Sequence, residues 1–196
     1  SIPFLRWALM PPGYHKDLYF GIRDKNANGL LVGFISGIPV QLKVENRMIN
    51  TTEVNFLCVH KKYRAFSMAT VLIKEVVRRS NLSGIWQGVY TSGTILPTPI
   101  TQTRYYHRSL NPKKLFEARF SYRNQKMSMS AYTELYKLPE MAELEKGYVV
   151  RPTEEKDINQ VRQLLNEYLK QFVIHQEYTK AEVKHWFLHR PNIVES

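Results

Sequence analysis

The first third of the chain alternates short apolar runs with polar breaks. LYFGIR (residues 18–23) and LLVGFIS (residues 30–36) flank DKNANG. Asn28-Gly29 within that break marks a hairpin, because glycine takes positive φ without a steric penalty. PVQLKVE and EVNFLCVH follow, separated by the polar NRMINTT. This pattern predicts a series of hairpin-linked antiparallel strands. From Ser67 the period lengthens: SMATVLIKEVVRRSNLSG is too long for a strand, and Gly84 supplies a stop. Both faces of this predicted helix are largely apolar until Lys74, Glu75, Arg78 and Arg79, so it is expected to lie against the sheet.

GIWQGVYTSG then reads as a buried strand, and Asn111-Pro112 as the cap and first-turn pair that opens the short helix PKKLFEARF. MSMSAYTELYKLPE reads as a closing strand. The fold class expected is α/β in the α+β sense, with a mixed sheet. LPEMAELEKGY shifts to charged and small residues and looks like a connector. Beyond it, Ile158, Val161, Leu164, Leu165, Tyr168, Leu169 and Phe172 share one helical face. Thr179 and Glu182 form a capping-box pattern for a second helix around AEVKHWFL. Two helices with no strand to pack on suggest an incomplete second domain. The expected division is residues 1–140, a linker at 141–149, and 150–196.

With 196 residues, 43% of them apolar, the chain can bury one good core or one core and part of another. Its apolar runs are broken by Gly and Ser well short of the roughly 20 residues that cross a bilayer, so no membrane span is expected. The opening SIPFLRWALMPPGY lacks the pattern of a secretory signal. One cysteine, Cys58, excludes an internal disulfide framework and fits a reducing, intracellular compartment. A net charge of +11 points to a polyanionic partner without naming it. The cations come as scattered pairs, Lys61 and Lys62, Arg78 and Arg79, Lys113 and Lys114, rather than as a tail.

Residues 53–84 form a strand, a basic turn and a helix. That layout points unpaired helix N–H groups and the positive end of the helix dipole at the turn, where Lys61, Lys62 and Arg64 add charge. From the pattern alone, a phosphate site and a solvated basic turn fit equally well. Phe56, Leu57 and Val59 read as strand core and Cys58 as a small buried hydrophobe with no base partner. RYYHR has aromatic and arginine residues interleaved, as in nucleic-acid binding, but little else supports that reading. His185 and His189 have the i, i+4 spacing of metal ligands, yet no glutamate follows His185 and no third ligand suggests itself, so no metal is expected.

NFLCVHKK, followed by TSG, RYYHRSLNPKKL and LYKLPE, resembles the eukaryotic N-myristoyltransferases (glycylpeptide N-tetradecanoyltransferases), and the similarity runs from FLRWAL to EVKHWF. The resemblance implies an acetyltransferase-like (GNAT-type) fold, here the first half of a tandem pair with the start of the second. It implies an acyltransferase that moves a myristoyl group from myristoyl-CoA, a co-substrate, to the N-terminal glycine of proteins, with no tightly bound cofactor and no acyl-enzyme.

Carried over by position, the backbone N–H groups of Phe56 and Leu57 form an oxyanion hole, the catalytic element. Cys58 and Val59 continue the acyl-CoA contact, and Arg64, Ala65, Ser67, Met68 and Ala69 receive the CoA phosphates. Asn55, Thr91, Gly93, Tyr105 and His107 contact the peptide. A cytoplasmic monomer that binds no nucleic acid is the expected setting.

The turn departs from the family. A Ser-Lys-Arg run usually follows the equivalent of Arg64, whereas this chain has Ala65-Phe66-Ser67, and Thr70 stands where proline is common. The loss of cations should weaken CoA binding, since each charge-assisted hydrogen bond contributes roughly 1.5 to 3 kcal/mol. Relative to the family, an upstream segment and the C-terminal carboxylate that serves as general base are also expected to be missing. The chain is therefore expected to be weak or inactive alone. The alternatives are a noncatalytic acyl-CoA or peptide-binding remnant and a basic nucleic-acid-binding protein.

Overall fold

The structure is a computed structural model that describes residues 1–138 and 147–195. It divides into two compact units, one made of Ser1–Ser92 with Arg151–Ser196, the other of Gly93–Val150. Of the expected connector, residues 141–146 lie outside the described residues.

The first unit is built on a mixed sheet. β1 (Tyr19–Asp24), β2 (Leu30–Val44) and β3 (Arg47–Val59) run antiparallel to their neighbours, and the short β4 (Gln87–Val89) pairs parallel with β3. The hairpin at Asn28-Gly29 is present, with both residues at positive φ. LLVGFIS and PVQLKVE, expected as two strands, are one. The polar NRMINTT, expected as a separator, is mostly β3 itself, and the chain reverses at Glu45, φ 52°. Polarity misleads there because the far end of the hairpin is exposed, and Gln41 Nε2 donates across it to Asn50 Oδ1 at 3.2 Å. Pro39 has no N–H for a ladder, and it stands between the part of β2 that pairs with β1, which ends at Ser36, and the part from Leu42 that pairs elsewhere.

Helix α2 (Met68–Leu82) lies on one face of this sheet through Leu72, Val76 and Ser80, a spacing of four that keeps them on one stripe. Ile35, Leu72 and Val76 make the core cluster. Gly37 lets the helix approach: a Cβ there would come within 2.7 Å of Thr52 Cγ2 and 3.1 Å of Val76 Cγ2. Thr52 Oγ1 donates to Ser80 Oγ at 2.9 Å, satisfying both hydroxyls inside. The helix lies against the sheet as expected, through one of its two apolar faces, and Val71 and Val77 on the other remain exposed. The expected buried strand GIWQGVYTSG is corrected too. Only Ile85 goes inside, Trp86 is 72% exposed, and β4 is an edge of three residues.

After residue 150, α5 (Ile158–Leu169) buries Ile158, and α6 (Lys180–Phe187) buries Val183. The capping box at Thr179 and Glu182 is present, with Thr179 N–H donating to Glu182 Oε2 at 2.8 Å and Glu182 N–H returning to Thr179 Oγ1 at 3.2 Å. The expectation of no strand here is corrected by β5 (Ile174–Gln176), which pairs antiparallel with Leu42–Val44 of β2. Three residues carry too little pattern to announce a strand, and the edge offered by β2 makes it one. Asn166 holds the approach to α6 by donating to Tyr178 C=O and accepting from Tyr178 N–H.

An unanticipated helix, α1 (Ile2–Leu9), meets α6. Trp7 Nε1 donates to His185 C=O at 3.0 Å, and His185 Nε2 meets Trp7 C=O at 2.8 Å. His185 is thus part of a helix contact, and burial pushes its imidazole below the ordinary value.

The second unit contains α3 (Pro112–Glu117) and α4 (Met129–Leu135). Asn111 caps α3 as expected, accepting from Lys114 N–H at 3.0 Å. The closing strand expected at MSMSAYTELY is helix α4. Ser128 Oγ accepts from Ala131 N–H at 3.1 Å, so the alternation that imitates a strand is overridden by an N-cap, and Tyr132 is buried. Among the described residues no helix is long and apolar enough to cross a membrane.

Candidate functional site

The ladder between β2 and β3 slips once. Phe34 faces Cys58 and Ser36 faces Asn55, so Ile35 alone stands against both Phe56 and Leu57. This is a β-bulge, and it takes backbone groups out of the ladder. Phe56 adopts φ 53°, a left-handed conformation that costs a non-glycine residue about 1–2 kcal/mol. Phe56 and Leu57 are 43% and 41% exposed rather than core. Cys58 is exposed as well, not a buried hydrophobe, and its thiol faces Phe56 C=O at 3.3 Å. Ser36 Oγ donates to Asn55 C=O at 2.9 Å and anchors the near side of the bulge.

The other edge of β3 is opened by its parallel neighbour. β4 pairs with Thr51, Thr52 and Glu53 and then ends, while β3 continues to Val59. The bulge therefore falls on the stretch of β3 that β4 has left.

At the end of β3 the chain enters a 3-10 turn, Lys61–Phe66. Tyr63 Oη donates to Asp24 Oδ2 at 2.6 Å, and Arg64 Nε donates back to Val59 C=O at 3.3 Å. Ser67, at φ 54°, precedes α2 without capping it through its side chain. Ser67 C=O takes the N–H groups of Thr70 and Val71, so the first-turn N–H groups of Met68 and Ala69 are left to the turn. Ala65 offers no side-chain donor there, and Phe66 is 67% exposed. Farther along α2, Arg78 and Arg79 are engaged by Glu75. Hydrogen bonds from Arg78 first and Arg79 second pull the Glu75 carboxyl down to about 2.

Two adjoining clefts open on the sheet face that carries Asn55. One of about 260 Å³ is lined by Asn55, Glu53, Tyr90, Thr91, Val40 and Gln176. The other, of about 240 Å³, shares Glu53, Asn55, Val40 and Gln176 and adds Glu182 and Trp186. Asn55 Nδ2 donates to Glu53 Oε1 at 3.0 Å. Asn55 and Thr91, both expected on the peptide side, thus line one cleft. Glu53 and Gln176 escaped the sequence reading; Glu53 could have been found, since it stands two residues from Asn55 on the same strand face. Gly93, Tyr105 and His107 belong to the second unit, where Tyr105 is exposed and the His107 ring meets Phe120 edge to face at 5.4 Å.

A mixed sheet with a bulged strand, a parallel neighbour that stops before the bulge and a helix that starts at the strand's end defines the class: an acetyltransferase-like α/β protein. The particular family follows from comparison. The model for the N-terminal domain of myristoyl-CoA:protein N-myristoyltransferase matches residues 1–103, that for its C-terminal domain matches residues 117–196, and the chain belongs to this family.

Glycylpeptide N-tetradecanoyltransferase 1 of Arabidopsis thaliana is 48% identical over all of this chain and 44% of its own length. Glycylpeptide N-tetradecanoyltransferase of Drosophila melanogaster is 46% identical over 98% of this chain and 40% of its own. The crystal structure of Saccharomyces cerevisiae N-myristoyltransferase with bound myristoyl-CoA superposes with a TM-score of 0.84 at 38% identity, covering 98% of this chain and 44% of that one. The chain spans less than half the length of these relatives.

Proposed function

We propose that this chain binds myristoyl-CoA and carries the acyl-transfer half of an N-myristoyltransferase site. The observation that supports this most directly is the bulge at Phe56 and Leu57 on the stretch of β3 beyond the end of β4. In acyl transfer, the glycine ammonium first gives a proton to solvent, and the free amine attacks the thioester carbonyl, whose oxygen gains negative charge. The C–S bond then breaks and the nitrogen gives up a second proton, so that an amide and the CoA thiol result. The N–H groups of Phe56 and Leu57 stabilise that oxygen, and a donor fixed by backbone geometry needs no reorganisation as the charge develops. Cys58 and Val59 extend the acyl-CoA contact. Arg64, Ala65, Ser67, Met68 and Ala69 receive the CoA phosphates, chiefly through the helix start. Asn55 and Thr91 meet the peptide in their cleft, while Gly93, Tyr105 and His107 keep their peptide assignment on the family resemblance. A cytoplasmic monomer belongs to the same reading.

The departure at Ala65-Phe66-Ser67 favours a second reading, a noncatalytic acyl-CoA or peptide binder. Saturating myristoyl-CoA is expected to raise the melting temperature, and no shift would overturn the proposal. Mass spectrometry of a glycine-led peptide incubated with myristoyl-CoA separates the two readings: weak turnover just above background is expected from the acyl-transfer reading, and none above background favours the noncatalytic one.

A further inference from the structure

We infer that Glu53 is a positioning residue for the N-terminal ammonium of the acceptor peptide, orienting the Asn55 amide and supplying the negative charge of the cleft. The inference rests on the proposed function, which places the peptide in the cleft of Asn55 and Thr91.

The orientation argument comes from the hydrogen bond. An ionised carboxylate only accepts, so the contact of 3.0 Å between Glu53 Oε1 and Asn55 requires the Asn55 nitrogen on that side. The Asn55 Oδ1 is then left as an acceptor. An ammonium needs acceptors, and an amide flipped the other way would present donors to it.

The charge argument comes from contrast. The chain carries a net charge of +11, a field that opposes the approach of a cation. Among the described residues neither cleft is lined by any Lys, Arg or His, and Glu53 lines both, joined in one of them by Glu182. Glu182 is already engaged in the capping box at Thr179, which leaves Glu53 as the carboxylate next to Asn55. The negative field is felt by Tyr178 in the same cleft. Its phenol is pushed up, first by burial and then by the carboxylates of Glu182 and Glu53.

Position completes the case. Glu53 is the last residue of β3 that pairs with β4, opposite Val89, so it stands where the two strands part, and Val89 precedes Thr91 by two residues. Asn55 directly precedes Phe56. At about 3.3 Å per residue along a strand, an amine held at Asn55 lies within one or two residues of the bulge. Every acceptor of an acyl group at an N-terminal glycine shares this ammonium, whatever its later sequence, which suits a residue of the strand scaffold.

The test compares two synthetic glycine-led peptides, otherwise uncharged, one with a free N-terminus and one N-acetylated. Their binding to the chain loaded with myristoyl-CoA is followed by calorimetry. The wild type is expected to prefer the free amine by roughly tenfold, as suits a charge-assisted hydrogen bond at a half-exposed site. Glu53→Gln keeps an acceptor for Asn55 but loses the charge and is expected to lose most of this preference. Glu53→Ala should lose all of it, and Glu53→Asp should recover part. Affinity for myristoyl-CoA and the melting temperature should stay unchanged in all three.

A preference retained in Glu53→Gln and Glu53→Ala overturns the assignment, as does equal binding of the two peptides by a wild type that still binds myristoyl-CoA. A wild type that does not bind myristoyl-CoA overturns the proposed function itself.

Discussion

The bulge at Phe56 and Leu57 and the turn at Lys61–Phe66 lie on one continuous stretch of chain, yet sequence change weighs on them differently. The bulge presents backbone N–H groups, and its shape comes from the register slip against Ile35 and the positive φ of Phe56. Almost any side chain compatible with that register can stand there. The turn depends on which side chains it carries. With Ala65 and Phe66 in place of a hydroxyl and a cation, and with Arg64 tied back to Val59, it retains chiefly the start of α2. A site written in backbone geometry survives substitution, and one written in side chains does not.

The largest expected effect attacks the backbone of the bulge. Phe56→Pro removes an N–H and imposes φ near −65°, so it is expected to destabilise the fold by about 3 kcal/mol or more and to abolish the melting shift with myristoyl-CoA. Phe56→Gly loses a half-exposed ring but accepts φ 53° freely. Its stability should therefore stay within about 1 kcal/mol of wild type, and its ligand response should remain. Thermal melts with and without myristoyl-CoA check both. If glycine removed the response as fully as proline, the side chain would matter and the contrast with the turn would fail.

How much of this could be read beforehand follows the same division. The β1–β2 hairpin, α2 with its stop at Gly84 and the capping box of α6 are local, each declared by residues within one turn of one another, and they were legible. The continuity of β2, strand β5 and helix α4 were not. β5 exists because β2 offers it an edge, and α4 because one cap at Ser128 outweighs an alternating pattern. At the site, the turn was legible as a departure because side chains are what a sequence prints. The bulge was not, since EVNFLCVH holds four successive apolar residues, Phe56 to Val59, that read as ordinary strand core, and carries no glycine where φ turns positive. Glu53 was within reach, two residues from Asn55 on one strand face, but the cleft that gives it a role also draws on Val40, Gln176 and Thr91, residues scattered along the chain.

A smaller effect is expected from rebuilding the turn. Ala65→Ser, Phe66→Lys and Ser67→Arg together should tighten myristoyl-CoA at least about tenfold at low salt, and added salt should erase much of the gain because the new charges are exposed. Arginine at the left-handed position 67 should cost little stability, because Ser67 already bears that strain and no side-chain cap is lost. Titrations at two ionic strengths measure the gain. An unchanged affinity would mean that the phosphates do not dock at this turn, and the comparison would lose one of its members.

The smallest effect concerns how the turn is tethered. Tyr63 donates to Asp24 Oδ2 and, ahead of the Asn26 backbone N–H, holds that carboxyl below its ordinary value of 3.8, while Asp24 raises the Tyr63 phenol above 10.0. A depressed carboxyl contributes stability above its unfolded value and loses it as the pH falls through the lower folded one. A raised phenol contributes below its unfolded value and loses that as the pH rises through the folded one. Tyr63→Phe should therefore melt slightly earlier than wild type at neutral pH, with the two curves converging below pH 3.8 and again above pH 10.0. Because the tether serves the turn and not the bulge, the variant should weaken free CoA and myristoyl-CoA by the same factor. A larger loss for myristoyl-CoA would show that loosening the turn reaches the acyl end, so that the two regions act as one.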